Sequence, residues 1–493
     1  MQLEQTETIA FLEAGEPHGI PGRRIDTSCA HVFLSGDFAY KIKRAVNLGY
    51  LDFSTRAARE AACAAELRLN RLTAPDLYLR VAHVTRAADG TLALDGAGEA
   101  IEPVIVMRRF PDDALGTEAL AAGRIDADMI ADLGRRLALF HAECPVPALG
   151  PKPASRLLES CLAPIRLLDE FLPRARIETL IERLEAGFAV ADVLVAERAP
   201  SGWWRRLHGD LHLGNICLVD GRLVPFDALE FDDALATGDR LYDLAFLIMD
   251  LRRLGRADLA LALYEAYGDH GPGAMRLLPV FVALRAMIRA FVAHAAWKRG
   301  EVPPVAAIEA YVLAAEQALT PAPARLIAVG GLSGSGKSTL ARALAPGIVP
   351  LPGALHLRTD VIRKRLHGIS ETEALPPAAY TPAESARVYA ALMDAARAGL
   401  AEGRSVIVDA VFAKPGERAA AAALWPNFTG LWLDVALETR QSRIEGRRND
   451  ASDATTTVAA RQENYDLGPI DWHRLRAGGD LRDLVATATG LLA

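Results

Sequence analysis

Residues 206–227 read RLHGDLHLGNICLVDGRLVPFD, and this stretch decides the fold class of the first part of the chain. Asp210 is followed five residues later by Asn215, and the apolar runs ICLV and RLVP then flank an Asp-Gly pair at 220–221. An Asp-Gly pair between two apolar runs predicts a β-hairpin with a two-residue turn. The returning strand would bring Asp227 back beside Asn215. The sequence therefore predicts two carboxylates and one amide close together around a hairpin.

This set of side chains has the chemistry that phosphoryl transfer requires. Such a site needs a group that orients the attacking hydroxyl, oxygen ligands for Mg²⁺ and a cation for the nucleotide phosphates. The D-x-x-x-x-N spacing is that of the kinase catalytic loop. Asn215 and Asp227 together offer oxygen ligands for Mg²⁺, which leaves Asp210 free to accept a hydroxyl proton.

The preceding sequence predicts a small sheet with one helix. HVFLSG and DFAYKIKR, residues 31–44, have the pattern of two strands, and an Ala-rich helix follows at 55–72. LYLRVAHV and EPVIVMRRF add further strands before the sequence becomes mostly helical. We therefore predict an α+β bilobal domain over residues 1–320, with a sheet-rich lobe at about 1–112 and a helical lobe at about 113–320.

With these motifs, the region from about residue 25 to 300 resembles the aminoglycoside phosphotransferase-like kinases, which are relatives of protein kinases in fold. The resemblance implies a bilobal, protein-kinase-like fold and transfer of the γ-phosphoryl group of ATP. It implies that the catalytic base is Asp210, that the Mg²⁺ ligands are Asn215 and Asp227, and that the adenine-binding hinge lies at Met107. Asp239 and Asp243 are interpreted as braces of the catalytic loop, and His212 is interpreted as structural.

A phosphate-pairing lysine is expected on the strand AYKIK. The resemblance gives this role to Lys41, with Glu66 of the Ala-rich helix as its partner. Lys43 points the same way from the strand and Glu60 lies on the same helix, so both alternatives stay open at the level of sequence. No G-x-G-x-x-G motif precedes the lysines. A phosphate cover is therefore expected from TSCAHVFLSG, residues 27–36.

A second phosphate-binding motif begins at Gly331, where the chain reads GLSGSGKSTLARA. Residues 331–338 fit G-x-x-x-x-G-K-[ST], follow the apolar strand LIAVGG and open a helix, which is the context that makes the motif specific. The glycines let backbone N–H groups wrap phosphate oxygens, the lysine reaches the β- and γ-phosphates, and the hydroxyl binds Mg²⁺. The predicted nucleotide-binding residues are Gly331, Gly334, Gly336, Lys337, Ser338 and Thr339, and Ser338 is also a predicted Mg²⁺ ligand.

Strands and helices alternate through the rest of the chain, after two prolines in TPAPAR at 320–325 break the helical pattern. This alternation predicts an α/β P-loop domain with a parallel sheet over residues 324–493. Two of its strands end in acids, Asp360 in LHLRTD and Asp409 in SVIVDA, and open parallel sheets bind ligands at the carboxyl ends of their strands. Asp409 is a candidate Mg²⁺ carboxylate. Helix capping or a strand-end turn is the alternative for either acid.

This second region resembles small P-loop kinases such as polynucleotide 5'-hydroxyl kinase and adenylylsulfate kinase. The resemblance makes Asp360 a hydroxyl-activating aspartate and Arg363 a substrate-binding arginine. Arg447 is a candidate lid arginine that neutralises the transferring phosphoryl group, and a solvated helix face is the alternative. The same cluster contains Arg440, Arg443 and Arg448. The first two of these are expected to hold the adenine side or to pair with acids.

Composition limits the partners. The chain of 493 residues is 51% hydrophobic with a formal net charge of −7, which predicts a folded protein of several domains without a general basic field for nucleic acid. Its five cysteines are scattered without a CxxC pair, which argues against a zinc site or a disulfide framework. The start lacks a signal-peptide pattern, and Arg285 and Arg289 interrupt the longest apolar run. We expect a cytoplasmic protein without membrane contact.

The sequence thus predicts a tandem ATP-dependent phosphotransferase that uses ATP and Mg²⁺ to phosphorylate hydroxyl groups of small metabolites. One alternative makes the C-terminal domain a nucleotide-binding switch that regulates the first domain. A second gives the C-terminal domain polynucleotide 5'-hydroxyl kinase activity, which the acidic net charge disfavours. A third makes the N-terminal domain a protein kinase, which the lack of a recognisable activation segment disfavours. The acceptors, the coupling of the domains and the oligomeric state are not predicted.

Overall fold

The chain forms two compact units. The first comprises residues 1–255, 262–272 and 281–314, and the second comprises 256–261, 273–280 and 315–493. The computed structural model describes residues 2–15, 19–27, 29–47, 51–148, 150–300, 305–447 and 450–492.

A six-stranded antiparallel sheet begins the first unit, with strand order β1-β2-β3-β6-β4-β5. Its strands are β1 (Arg23–Asp26), β2 (Ala30–Ser35), β3 (Phe38–Lys43), β4 (Tyr78–Arg86), β5 (Leu92–Leu94) and β6 (Glu99–Arg108). Two helices accompany it, α1 (Gln2–Glu13) and α2 (Arg56–Asn70). Thr55 caps α2 because its side chain accepts a hydrogen bond from the Ala58 amide. Helix α1, which lies outside the predicted elements, buries Phe11 and Leu12 against the sheet.

The chain from residue 116 to 319 is mainly helical, as predicted. Its helices are α3 (Gly116–Ala121), α4 (Ala127–Glu143), α5 (Ser155–Arg166), α6 (Arg174–Arg198), α7 (Arg240–Arg253), α8 (Ala257–Tyr267), α9 (Ala274–Lys298) and α10 (Val305–Leu319). Two short antiparallel pairs interrupt them, formed by β7 (Trp204–Arg206), β8 (Ile216–Val219), β9 (Arg222–Pro225) and β10 (Thr237–Asp239). The pair of β7 with β10 was not predicted. Helix α9 has the length and apolarity to cross a membrane, but 67% of its most apolar window is buried inside the protein, as in a core helix.

The predicted hairpin is confirmed by β8 and β9, which pair in antiparallel register from Ile216 opposite Pro225 to Val219 opposite Arg222. The turn between them contains Asp220 and Gly221, with φ of 49° and 75°. Positive φ at both central residues is what a type I′ hairpin turn requires. The register places Asn215 at the end of the hairpin from which the chain continues to Asp227.

The second unit contains a five-stranded, fully parallel sheet with order β12-β13-β11-β14-β15. The strands are β11 (Leu326–Gly330), β12 (Leu355–Arg358), β13 (Val406–Asp409), β14 (Phe428–Asp434) and β15 (His473–Arg476). The helices are α11 (Lys337–Leu344), α12 (Thr359–Leu366), α13 (Pro382–Ala401), α14 (Pro415–Leu424), α15 (Leu437–Glu445), α16 (Thr456–Gln462) and α17 (Leu481–Leu492). This confirms the predicted α/β P-loop fold. The unpredicted edge strand β15 has the sequence HRLR, which carries a single apolar residue.

The sheet of the second unit has a core on each face because side chains alternate along a strand. From β11, Ile327 and Val329 enter one core, while Leu326 and Ala328 enter the other. The strand is therefore apolar throughout, as expected for a parallel sheet that is covered on both sides. Its neighbours β13 and β14 lie on opposite sides of β11, so the chain reverses its direction of winding here. Such a reversal opens a crevice at the carboxyl ends of the strands.

Candidate functional site

The catalytic loop predicted from the sequence lies between β7 and β8. The Asn215 side-chain amide donates hydrogen bonds to the Asp210 carbonyl at 3.0 Å and to its Oδ2 at 2.9 Å. The Phe226 amide donates to the Asn215 carbonyl at 2.9 Å, which brings the residue before Asp227 against the loop. The Asp210 side chain is 40% exposed, so it is held in place and still open to a substrate.

Carboxylates of α7 hold this loop from behind. Asp243 accepts hydrogen bonds from the amides of His208 at 2.8 Å and Gly209 at 3.0 Å, so it braces the loop as predicted. Asp239 does not act as such a brace: it caps α7 through the Leu241 amide and binds Arg198 at 2.7 Å. Asp239 therefore stabilises the start of α7 and does not brace the catalytic loop, which was the role interpreted from the sequence.

A second brace was missed in the sequence. Asp250 accepts a hydrogen bond from the Leu213 amide at 3.0 Å. Asp250 lies seven residues after Asp243, and residues at this spacing share one face of a helix. The spacing of the two acids on an otherwise apolar helix was therefore the available signal.

His212 positions Asp210. Its Nδ1 accepts a hydrogen bond from the Gly214 amide at 3.0 Å, which leaves the ring proton on Nε2, 3.5 Å from Asp210 Oδ2. Burial alone would raise the pKa of Asp210, but the hydrogen bond from His212 and the nearby positive charges outweigh it and lower this pKa below its ordinary value. Asp210 is therefore ionised at neutral pH, as a general base must be.

Both candidate lysines of β3 contact Glu66. Lys41 Nζ lies 2.7 Å from Glu66 Oε1 and 2.5 Å from Asp227 Oδ1, while Lys43 Nζ lies 2.5 Å from Glu66 Oε2 and also binds Glu230. The lysines are two residues apart, so they point to the same face of the strand. Lys41 is the one that also reaches the predicted Mg²⁺ ligand.

The alternative helix partner, Glu60, is not supported by the geometry, because its carboxylate lies 2.7 Å from His83 Nε2. Glu66 is fully buried between the lysines. Burial raises the pKa of this carboxyl, but the charges of Lys41 and Lys43 outweigh burial and lower it to about 2. The same ion pairs overcome burial at both ammonium groups and raise the pKa of each lysine. Glu230 was missed because a lone acid three residues after Asp227 has no motif to mark it.

Two further predictions concern nucleotide contacts of the first site. Met107 lies near the end of β6, opposite Ala39 of β3, and is buried. Residues 27–36, the expected phosphate cover, contain β2 and the turn at Gly36, while Ser28 lies outside the described residues. Neither role is tested by these positions, and both stay predictions.

The donors of the first site fit MgATP. Mg²⁺ in kinase sites is typically held by one or two protein oxygens together with substrate phosphates and water. Asn215 and Asp227 supply an amide and a carboxylate, and the Asp227 side chain is 40% exposed. Among the described residues no group of three or more His, Cys, Asp or Glu suited to a metal ion is found. A pair of ligands completed by phosphate oxygens is the arrangement that these residues offer.

The loop of the second motif has the backbone shape of a phosphate cradle. Gly331, Gly334 and Gly336 have φ of 142°, 85° and 94°. A Cβ added at Gly334 would lie 2.5 Å from the Arg440 carbonyl oxygen. The Ser335 hydroxyl is buried and has no hydrogen-bond partner within the described part of the chain. The glycines and this hydroxyl fit a loop that wraps phosphate oxygens.

Two arginines of α15 donate hydrogen bonds to carbonyl groups of the loop 331–338. Arg440 donates to the Ser333 carbonyl at 3.3 Å and forms an ion pair with Glu463, and Arg443 donates to the Ser335 carbonyl at 3.1 Å. Arg440 thus pairs with an acid, which was one of the two expectations, whereas Arg443 binds carbonyl groups. Gln462, which was missed, accepts from the Ser333 amide at 2.7 Å. Arg448 lies outside the described residues.

The reactive groups of the second motif meet at the carboxyl ends of β12 and β13. The Ser338 hydroxyl donates to Asp409 Oδ2, and Lys337 Nζ donates to the Leu332 carbonyl at 3.3 Å. Burial lowers the pKa of Lys337, which the charges of Asp409 and Asp360 only partly oppose. Thr339 follows in the first turn of α11. These residues fit MgATP, with Ser338 and Asp409 as the oxygen ligands at hand.

Asp360 lies in the first turn of α12. Burial and the charge of Asp409 raise its pKa. Arg363 of the same helix donates to the Ala379 carbonyl at 2.7 Å. Arg447 is half-buried, and its Nη1 has no hydrogen-bond partner among the described residues. The roles of these three residues in catalysis stay predictions.

Relatives of nearly full length are found among known proteins. One relative is Uncharacterized protein Rv2004c of Mycobacterium tuberculosis (strain H37Rv). It is 34% identical to this chain over 481 residues, which cover 92% of each of the two proteins. Uncharacterized protein Mb2027c of Mycobacterium bovis matches with the same identity and coverage. Both parts of the chain are therefore present together in these relatives.

Each part also matches a family model. Residues 50–278 match the phosphotransferase enzyme family, and residues 326–465 match an AAA domain. A choline/ethanolamine kinase family protein from Mesorhizobium loti is 16% identical, with a TM-score of 0.42 over 64% of this chain and 95% of its own. The APS kinase CysC of Mycobacterium tuberculosis is 21% identical, with a TM-score of 0.27 over 35% of this chain and 99% of its own. The chain belongs to the family of the two mycobacterial proteins, and it joins an N-terminal phosphotransferase enzyme family domain to a C-terminal P-loop AAA domain.

Proposed function

We propose that this protein is a tandem ATP-dependent phosphotransferase whose two domains each transfer the γ-phosphoryl group of MgATP to a hydroxyl group of a small metabolite. The observation that carries the proposal is the catalytic loop, where Asn215 holds an ionised, accessible Asp210 while Lys41 bridges Glu66 and Asp227. All five cysteines are free, which accords with the reducing conditions of the cytoplasm.

In the first site, Asp210 orients the acceptor hydroxyl. The hydroxyl oxygen forms a bond to the γ-phosphorus, the bond from that phosphorus to the ADP oxygen breaks, and the hydroxyl proton passes to Asp210. Lys41 pairs with the phosphates from its position beside Glu66. Asn215 and Asp227 would hold Mg²⁺, which would neutralise the charge of the phosphate oxygens. Asp243 and Asp250 keep the loop in place by binding its amides.

In the second site, the loop 331–338 binds the phosphates and Asp360 is the base for a different acceptor. Lys337 and the backbone amides contact the phosphate oxygens, and Ser338 and Asp409 would hold Mg²⁺. Arg447 neutralises the transferring group. Because the charges of Asp409 and Asp360 only partly oppose the effect of burial on Lys337, the anionic phosphates would add to the counter-charge of this ammonium group.

The proposal is tested by transfer of labelled γ-phosphate from ATP into a bacterial metabolite extract. Asp210→Ala should reduce one set of labelled products by about 100-fold or more, which is a typical contribution of a general base. Lys337→Ala should remove a different set. Lys152→Ala and Asp394→Ala, at exposed positions, are the controls and should leave all products unchanged.

The outcome also decides between two catalysts and one regulated catalyst. If every product depends on Asp210 while Lys337→Ala only changes the rate, the second domain is a nucleotide-binding switch. If neither variant loses a product, the proposed activity of both sites is wrong.

A further inference from the structure

A cavity of about 380 Å³ opens beside the predicted base of the second site. Its lining includes Arg447, Asp450, Ser452 and Asp453. Ser452 of this lining interacts with the Asp360 carboxyl and partly opposes the rise of its pKa, so the lining lies next to the group that would take the proton of the acceptor hydroxyl. A cavity of this size, next to a predicted base, is where the acceptor would bind.

The carboxylates that line the cavity are matched by cations from β12 and α12. Arg358 Nη2 lies 2.9 Å from Asp450 Oδ1. Lys364 Nζ lies 3.1 Å from Asp453 Oδ1, and this lysine is buried, with a second hydrogen bond to the Glu371 carbonyl at 2.8 Å. Arg358 and Lys364 are therefore each already paired with an acid of the cavity lining.

Arg363, the residue expected to bind substrate, is also engaged. Its Nη1 donates to the Ala379 carbonyl at 2.7 Å, and its guanidinium carbon lies 4.9 Å from the centre of the Tyr380 ring. The Tyr380 hydroxyl in turn donates to Asp453 Oδ2 at 2.5 Å. Arg363 is thus connected through Tyr380 to Asp453, which lines the cavity. Arg447 belongs to the lining itself, and its Nη1 has no hydrogen-bond partner among the described residues, so we assign it to the transferring phosphoryl group.

This distribution of charge selects against an anionic acceptor. A carboxylate, sulfate or phosphate group on the acceptor would face Asp450 and Asp453 and would have to take a cation away from one of them. Both acids are partly exposed, but Lys364 is buried, so separating it from Asp453 would leave an uncompensated charge in the interior and is unfavourable. Hydroxyl groups, in contrast, donate hydrogen bonds to carboxylates and to serine without disturbing the pairs.

We propose that the acceptor of the second site is a hydroxyl-rich compound that carries no anionic group. This inference rests on the proposed kinase function of that site. In the reaction, the acceptor oxygen forms a bond to the γ-phosphorus of ATP, the bond from that phosphorus to the ADP oxygen breaks, and the hydroxyl proton passes to Asp360.

The test separates acceptors by charge before the reaction. A bacterial metabolite extract is passed over a strong anion-exchange resin at neutral pH, and the flow-through and the salt eluate are desalted and incubated separately with γ-labelled ATP. The enzyme is the full-length Asp210→Ala variant, whose first site is silent, and the control is the same chain with Lys337→Ala in addition. We expect labelled product that depends on Lys337 from the flow-through. Such a product from the eluate overturns the proposal.

The same experiment distinguishes this inference from the function on which it rests. If neither fraction nor the unfractionated extract gives a product that depends on Lys337, the second site is not a kinase, and the proposed function fails before the acceptor is at issue. A Lys337-dependent product from the eluate alone supports the kinase function and refutes only the inference that the acceptor carries no anionic group.

A variant tests the role of the ion pairs directly. Asp453→Asn removes the counter-charge of Lys364, so sulfate should become a better competitor of the acceptor, with an inhibition constant lowered by about tenfold. Asp394→Asn removes an exposed carboxylate that pairs with Arg397 and should leave that constant unchanged. If sulfate has the same inhibition constant in the parent protein, in Asp453→Asn and in Asp394→Asn, Asp453 does not exclude anions in the way proposed.

Discussion

At the scale of single residues, the two predicted bases lie in opposite electrostatic surroundings. Asp210 receives hydrogen bonds from Asn215 and lies beside His212, and its pKa is lowered. Asp360 is partly shielded from water and lies beside the charge of Asp409, and both effects raise its pKa. Because a general base acts only when it is ionised, these shifts give the two reactions different sensitivities to acid.

We therefore expect the activity of the second site to fall at a higher pH than that of the first. As the pH decreases, Asp360 takes up a proton above the ordinary pKa of an aspartate, whereas Asp210 stays ionised until the pH is below that value. The measurement is kcat/KM against pH from 7 to about 4, in full-length proteins with Asp210→Ala or Lys337→Ala, each of which leaves one site active. If kcat/KM falls at the same pH for both sites while circular dichroism shows that the proteins are still folded, the assignment of the two bases is wrong.

The two lysines of β3 should also have separable roles. Lys41→Met removes the ammonium group next to Asp227 and should raise the KM for ATP and lower kcat at the first site. Lys43→Met leaves Glu230 and Glu66 without their shared partner, which should cost roughly 3–5 kcal/mol of stability. Hydrogen exchange of the amides in α2 measures this loss locally.

The control for Lys43 is its double variant with Glu230→Gln, which removes the uncompensated charge and should restore part of the protection of α2. If Lys43→Met instead raises the KM for ATP as much as Lys41→Met while α2 stays protected, Lys43 is the phosphate-binding lysine.

At the scale of elements, the loop 331–338 depends on a contact that sequence motifs do not express. Arg440 and Arg443 bind the carbonyls of Ser333 and Ser335, and α15 approaches so closely that Gly334 has no room for a Cβ. The glycine is thus required both by its φ of 85° and by its neighbour. The shape of the phosphate loop is set partly by a helix about one hundred residues later in the chain.

Gly334→Ala should therefore impair nucleotide binding at the second site. The added Cβ either displaces α15 or distorts the loop, and we expect the Kd for ATP at this site to rise by about tenfold or more, equivalent to ~1.4 kcal/mol. Gly347→Ala is the matched control, because no heavy atom lies within 4 Å of its added Cβ. Isothermal titration of both variants in the Lys41→Met background, in which ATP binding at the first site is weakened, measures the effect. Identical affinities would show that the loop tolerates the methyl group.

At the scale of the whole molecule, the net charge of −7 bears on the alternative that the second domain phosphorylates nucleic-acid ends. A polyanion binds mainly through release of counterions by clustered Lys and Arg, and affinity then falls steeply with salt. We expect no labelled product from a 5'-hydroxyl RNA oligonucleotide, and no binding in the micromolar range at about 150 mM salt. Binding that weakens strongly with added salt, together with Lys337-dependent labelling of the oligonucleotide, would establish the alternative.

The fold classes could be predicted because their signals are local. The Asp-Gly turn of the hairpin and the glycine-rich loop between a strand and a helix depend on residues that are close in sequence. Elements without such signals were missed: α1 has no motif, β15 has a single apolar residue, and β7 pairs with a strand that begins more than thirty residues later. Short strands of this kind owe their pairing to tertiary contacts rather than to their own propensity.

The sequence by itself determined which residues are the candidates for the proposed chemistry, because Asp210, Asn215, Asp227, Lys337 and Ser338 stand at spacings that phosphoryl transfer requires. Only the tertiary structure decided how these groups are held and charged. It places Glu66 between two lysines, rejects Glu60, adds Asp250 and Glu230, and pairs the cations near Asp360 with acids from another segment. The physical reason is that electrostatic interactions depend on distance and burial, and both are set by packing between segments that are far apart in sequence.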